Sequence, residues 1–141
     1  MAINTSKVVI GGTVAGIVSN LIGFVAFGML LGPRMQAEAV AVAPALEGRG
    51  MSGPTIATQL ISAFAVGILL VWLYAAMRPR FGPGARTAIL AALVVWICGF
   101  LFHLDWVLVG MMSPATNAAA SAASAVQVVA AALAGAKLYT E

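Results

Sequence analysis

Residues 8–31, VVIGGTVAGIVSNLIGFVAFGMLL, decide the class of this protein. The run carries no charged side chain over roughly 24 positions, and a helix of that length covers a bilayer hydrocarbon core about 30 Å thick. A cleaved signal peptide is the competing reading. It calls for a shorter apolar core and a more basic start than Lys7 alone provides.

Three further runs work outward from this one, over residues 56–77, 87–110 and 114–139. The chain is 62% hydrophobic and only 8% charged across 141 residues, a composition outside ordinary soluble usage. The expected fold is therefore all-α, a single transmembrane domain forming an integral membrane four-helix bundle. Its connections are an external loop over about 32–55 and a basic loop over 78–86. Ser113 is placed to cap the last span and Pro114 to occupy its first helical position, which makes the third and fourth spans an antiparallel hairpin. The fourth span is rich in alanine and weakly hydrophobic, so three spans with an external C-terminal segment is the alternative.

The long loop is punctuated by Pro33, Pro44, Gly53 and Pro54. Within it Met35, Ala39, Val42, Ala43 and Leu46 could line one face of a short surface helix, which Pro44 would break. A plain surface loop is the other reading.

Lys7, Arg78, Arg80, Arg86 and Lys137 fall on one side of the bundle, against Arg34 and Arg49 on the other. This excess makes the first side cytoplasmic, with both termini there. Trp72, Tyr74 and Tyr139 near one set of helix ends and Trp106 near the other suit interfacial belts. The net charge of +3 is scattered singly, which excludes a nucleic-acid stripe. Cys98, the only cysteine, lies inside an apolar run and is read as a buried small hydrophobe.

Small residues four apart recur along the first span: Gly12 and Gly16, Ser19 and Gly23, Gly28 and Gly32. They form a groove suited to close helix contact, within the bundle or with another protein. Asn20 and Gln127 fall at similar membrane depth, and the sequence predicts a hydrogen bond between them that aligns the first and fourth spans. Those two spans are expected to be the packing seam. Ser62, Ser121 and Ser124 are read as packing residues.

The third span holds GFLFHLDW, residues 99–106, with the sole histidine of the chain and the only acidic residue within a span. His103 admits three readings: proton relay, axial ligation of a porphyrin-like pigment, or a structural hydrogen bond, with Asp105 meeting Arg34, water or an interface group. Gly99, one turn away, would leave room for a flat ring. The small-x-x-x-His spacing resembles that of bacterial antenna polypeptides, which are single-span and do not claim this chain.

No nucleophile, metal set or phosphate loop is complete, so no enzyme is expected and no cofactor beyond the pigment alternative. The segment VWLYAAMRPRFGPGART, residues 71–87, resembles a junction of uncharacterised small four-span bacterial membrane proteins. That resemblance implies a bacterial inner membrane and four spans, and no activity. There Trp72 and Tyr74 would anchor the interface while Arg78, Arg80 and Arg86 meet anionic headgroups. The expected function is a non-catalytic accessory or scaffold subunit, with membrane lipids and either a membrane protein or a second copy as partners. The alternative is a small transporter or ligand-binding protein, for which transport requires a cavity joining Asn20, Gln127 and His103, or an oligomeric pore.

Overall fold

A computed structural model describes residues 3–49 and 52–139. Positions 50 and 51 of the expected external loop lie outside that description. The described residues form α1 (Thr5–Gly23), α2 (Gly32–Val42), α3 (Gly53–Phe81), α4 (Ala85–Leu108) and α5 (Pro114–Leu138), with no strand among them. α1 continues as a π-helical segment, Phe24–Leu30, in which the backbone N–H of Leu31 reaches the carbonyl of Ala26 at 2.8 Å. Four helices, Thr5–Leu30, Gly53–Phe81, Ala85–Leu108 and Pro114–Leu138, are long and apolar enough to cross a membrane. The protein is an all-α bundle of multi-pass membrane type.

Local chemistry sets the helix ends. The side chains of Asn4, Ser52 and Ser113 accept from the N–H groups of Lys7, Thr55 and Thr116, closing the first turns of α1, α3 and α5. Pro114 stands at the start of α5, as its sequence position predicts. Pro79 does not stop α3, which runs on to Phe81. A proline so near the end removes a single backbone bond, and termination falls instead to Gly82 at φ +80°, a conformation that side chains disfavour. In the loop between the first two spans the chain is helical over Gly32–Val42 and breaks before Pro44. Met35, Ala39 and Leu46 are half-buried there, whereas Val42 is exposed and does not share their face.

The expected seam between α1 and α5 is present, but it is not the only one. α1 packs against both α3 and α5. The Gly12 and Gly16 groove receives α3: a Cβ at Gly12 would stand 2.6 Å from the Cα of Ile68, and one at Gly16 2.9 Å from the Cα of Phe64. Gly67 answers from α3, where a Cβ would fall on the Gly12 carbonyl and 2.6 Å from the Gly16 nitrogen. Gly11, one residue round the helix from Gly12, faces α5, with Gly135 as its counterpart. Gly28 and Gly32 contribute no groove, because their nearest neighbours are Phe24 and Phe27 of the same π-helical turn.

The start of α1, the end of α5 and the α3–α4 junction meet at one end of the bundle. Tyr74 and Tyr139 are buried there in edge-to-face contact at 6.1 Å, with the Arg78 guanidinium 5.4 Å from the Tyr139 ring centre. The Tyr74 hydroxyl accepts from the Gly84 N–H and that of Tyr139 from the Asn4 N–H, each at 3.1 Å. Tyr74 and Tyr139 are thus internal clasps, not outward-facing belt residues, and Arg78 packs on them. Trp72, Arg80 and Arg86 are exposed, where the headgroup reading needs them.

Large apolar side chains cover the outside, among them Phe102, Leu108 and Ile61. Cys98 is exposed on this surface, contrary to its expected burial, because in lipid a small apolar side chain loses nothing by facing outward. The buried residues of α3 and α4, from Gly67 to Ala75 and from Thr87 to Ala92, all belong to the junction end. Towards the other end neither helix has a buried residue.

Candidate functional site

In the half of the bundle away from the junction, an open cavity of about 690 Å³ lies among α1, α3, α4 and α5. Its position follows from the packing: the glycine contacts hold α1, α3 and α5 together below it, and α3 and α4 lack buried contacts beside it. Phe24, Phe27, Trp96 and Phe100 supply aromatic wall, the last two stacked at 5.7 Å and 19°. Into that wall are set Asn20, Gln59, Ser62, His103, Ser121 and Gln127, with no Asp, Glu, Lys or Arg among the lining residues. Asn20, Gln127 and His103, from three different helices, therefore line one cavity.

Asn20 and Gln127 do not bond each other. The Asn20 amide donates to the carbonyls of Gly16 at 3.0 Å and Leu60 at 3.5 Å, and the Gln127 amide donates to the carbonyl of Ser19 at 2.9 Å and its hydroxyl at 3.0 Å. They lie at one level of the bundle, since Gln127 bonds the residue that precedes Asn20. Consecutive helical residues point about 100° apart, however, so Ser19 meets α5 while Asn20 turns towards α3. Gly23 leaves space for Gln127, whose Nε2 would stand 2.8 Å from a Cβ at that position.

His103 Nδ1 lies 2.7 Å from the carbonyl of Gly99 in its own helix. A carbonyl only accepts, so Nδ1 carries the proton and a neutral ring keeps Nε2 as an acceptor. Nothing lies within 4 Å of a Cβ built on Gly99, so the space expected beside His103 is present. Asp105 does not meet Arg34, because Arg34 pairs with Glu38 at 3.2 Å. Among the described residues no three His, Cys, Asp or Glu side chains come together as a metal set.

No protein-family model, curated protein or solved structure matches this chain. The geometry alone carries its reading.

Several site residues escaped the sequence reading. Ser62, Ser121 and Ser124, taken for packing residues, all line the cavity. The Ser121 hydroxyl is buried without a hydrogen-bond partner among the described residues, while its carbonyl accepts from Trp96 Nε1 at 2.9 Å. Glu38, on α2, was missed as well. It accepts from the Thr116 hydroxyl at 2.6 Å, the Ser113 hydroxyl at 2.8 Å and the Ser113 N–H at 2.9 Å, fastening α2 to the start of α5. The only signal for it in the sequence was an acidic residue in a loop, which names no partner.

These bonds, the Thr116 hydroxyl foremost, hold the Glu38 carboxyl down to about 2 from its ordinary 4.5. Its folded value lies below its unfolded value, so the unfolded chain takes up the proton first as pH falls. The clamp's stability is complete above about pH 4.5 and declines from there towards pH 2. Thermal midpoints followed down this range should fall by several degrees in the wild type and by distinctly less in Glu38→Gln. Identical acid limbs in the two proteins would discard this assignment.

Proposed function

We propose that the protein binds a small amphipathic molecule within the membrane, as a carrier or transporter, in the cavity shared by Asn20, Gln127 and His103. The supporting observation is the lining itself. Polar groups are costly in a bilayer and concentrate where they serve a ligand or a path, and here they gather on one concave surface of a chain that is otherwise apolar outside. A volume of about 690 Å³ lies in the range of small-molecule sites. The buried, unpartnered Ser121 hydroxyl is a further group that a ligand would satisfy. Neither reaction chemistry nor catalytic residues form part of this reading.

A second reading, an accessory subunit of a larger membrane assembly, draws on α5. Ala115, Ala118, Ala119 and Ala122 form an exposed small-residue face there that no other helix covers, suited to close approach by another protein or a second copy. The basic excess at the end holding both termini supports a cytoplasmic placement of that end, and the junction over 71–87 supports a bacterial inner membrane.

One experiment separates the two readings: native mass spectrometry of the protein released gently from its own membrane. The binding reading expects the chain with a bound small molecule, lost when the cavity is blocked. The subunit reading expects a protein complex that survives blocking. Recovery of the bare chain alone would overturn both.

A further inference from the structure

The fixed groups of the cavity show which ligand chemistry it accepts. The amide of Asn20 is spent on the Gly16 and Leu60 carbonyls and that of Gln127 on Ser19. Backbone carbonyls can only accept, so the nitrogen of each side-chain amide must face them and the oxygen must face away. Among the described residues neither Asn20 Oδ1 nor Gln127 Oε1 receives a hydrogen bond. His103 follows the same logic, with Nδ1 committed to Gly99 and Nε2 left as an acceptor. Ser124 likewise gives its proton to the Ser121 carbonyl at 2.9 Å. Three helices thus present unfilled acceptors to one space, beside the Ser62 and Ser121 hydroxyls and the Gln59 and Asn117 amides, which can both donate to and accept from a ligand hydroxyl.

The lining also lacks any charged side chain of the Asp, Glu, Lys or Arg type, so an ionic ligand would enter without a counter-charge in a low-dielectric setting, at prohibitive cost. Resting on the binding reading above, we infer that the ligand is an uncharged, lipid-soluble molecule carrying two or more hydroxyl donors on a flat ring. The hydroxyls would fill the acceptors of Asn20, Gln127 and His103. The ring would lie against the Trp96 and Phe100 wall, and its apolar part would extend to the open side between α3 and α4.

Two probes that differ only in donors test this: 4-hexylresorcinol, with two ring hydroxyls, and its dimethyl ether, with none. Binding is measured by titration calorimetry to the full chain in zwitterionic lipid nanodiscs, with empty nanodiscs correcting for partition. The diol should bind saturably at one per chain and at least tenfold more tightly than the ether. His103→Leu should reduce that preference severalfold while leaving the thermal midpoint near that of the wild type, since the His103 ring is exposed and bonds only its own helix. Saturable binding of the ether as tight as that of the diol would overturn the donor inference and leave the cavity as a site. Absence of saturable binding by either probe would overturn the cavity reading itself.

Discussion

Gly67→Ala is expected to destabilise the bundle by about 2–3 kcal/mol, the upper range for forcing one extra methyl into close-packed surroundings. The new Cβ would collide with the Gly12 carbonyl and stand 2.6 Å from the Gly16 nitrogen, and these backbone atoms belong to α1, which cannot yield locally. The helices would have to separate, and the loss would spread to the neighbouring contacts of Phe64 and Ile68. In lipid this weighs heavily, because helix association depends on van der Waals fit and not on removing apolar surface from water. Gly99→Ala is the control. It makes the same chemical change within a helix where no neighbour lies within 4 Å, and helix propensity should stabilise it by up to about 1 kcal/mol. Reversible unfolding in bicelles or mixed micelles measures both. Equal effects at the two positions would refute the close α1–α3 contact.

Gly99→Phe should weaken diol binding tenfold or more, equivalent to at least about 1.4 kcal/mol, with little change in folding stability. Gly99 lies one helical turn from His103 and both line the cavity, so the added ring would occupy ligand space from a position whose Cβ meets nothing within 4 Å. Binding and stability are thereby separated, in contrast to Gly67, where stability takes the whole effect. Calorimetry with 4-hexylresorcinol, paired with a thermal melt, reads both quantities. Undiminished affinity in a folded Gly99→Phe protein would place the ligand elsewhere.

The two substitutions also show where sequence reasoning holds and where it ends. Gly12 and Gly16 were legible as a close-packing groove because their spacing alone places them on one helix face. Which helix fills the groove was not legible, since α3 and α5 both carry small residues, and only the assembled bundle assigns Gly67 to Gly12 and Gly135 to Gly11. The same limit explains Asn20 and Gln127. Depth follows from counting residues, whereas the rotational setting that gives Gln127 to Ser19 comes from the helix contacts. Arg34 illustrates it again: Glu38, one turn along its own helix, lies closer than the distant Asp105.

By itself the sequence determined the four apolar helices, the capped start of α5 at Ser113, and the antiparallel order of the bundle. Run length, turn residues and caps act over a few neighbouring positions, and each is complete within its own stretch of chain. Only the tertiary structure decided that Asn20, Gln127 and His103 share a cavity, that Glu38 fastens α2 to α5, and that Tyr139 and Tyr74, in ring contact, hold the start of α1 and the α3–α4 junction. Those relations join residues remote in sequence. They depend on helix rotation and close approach, which glycine contacts between neighbouring backbones set and which no single helix encodes.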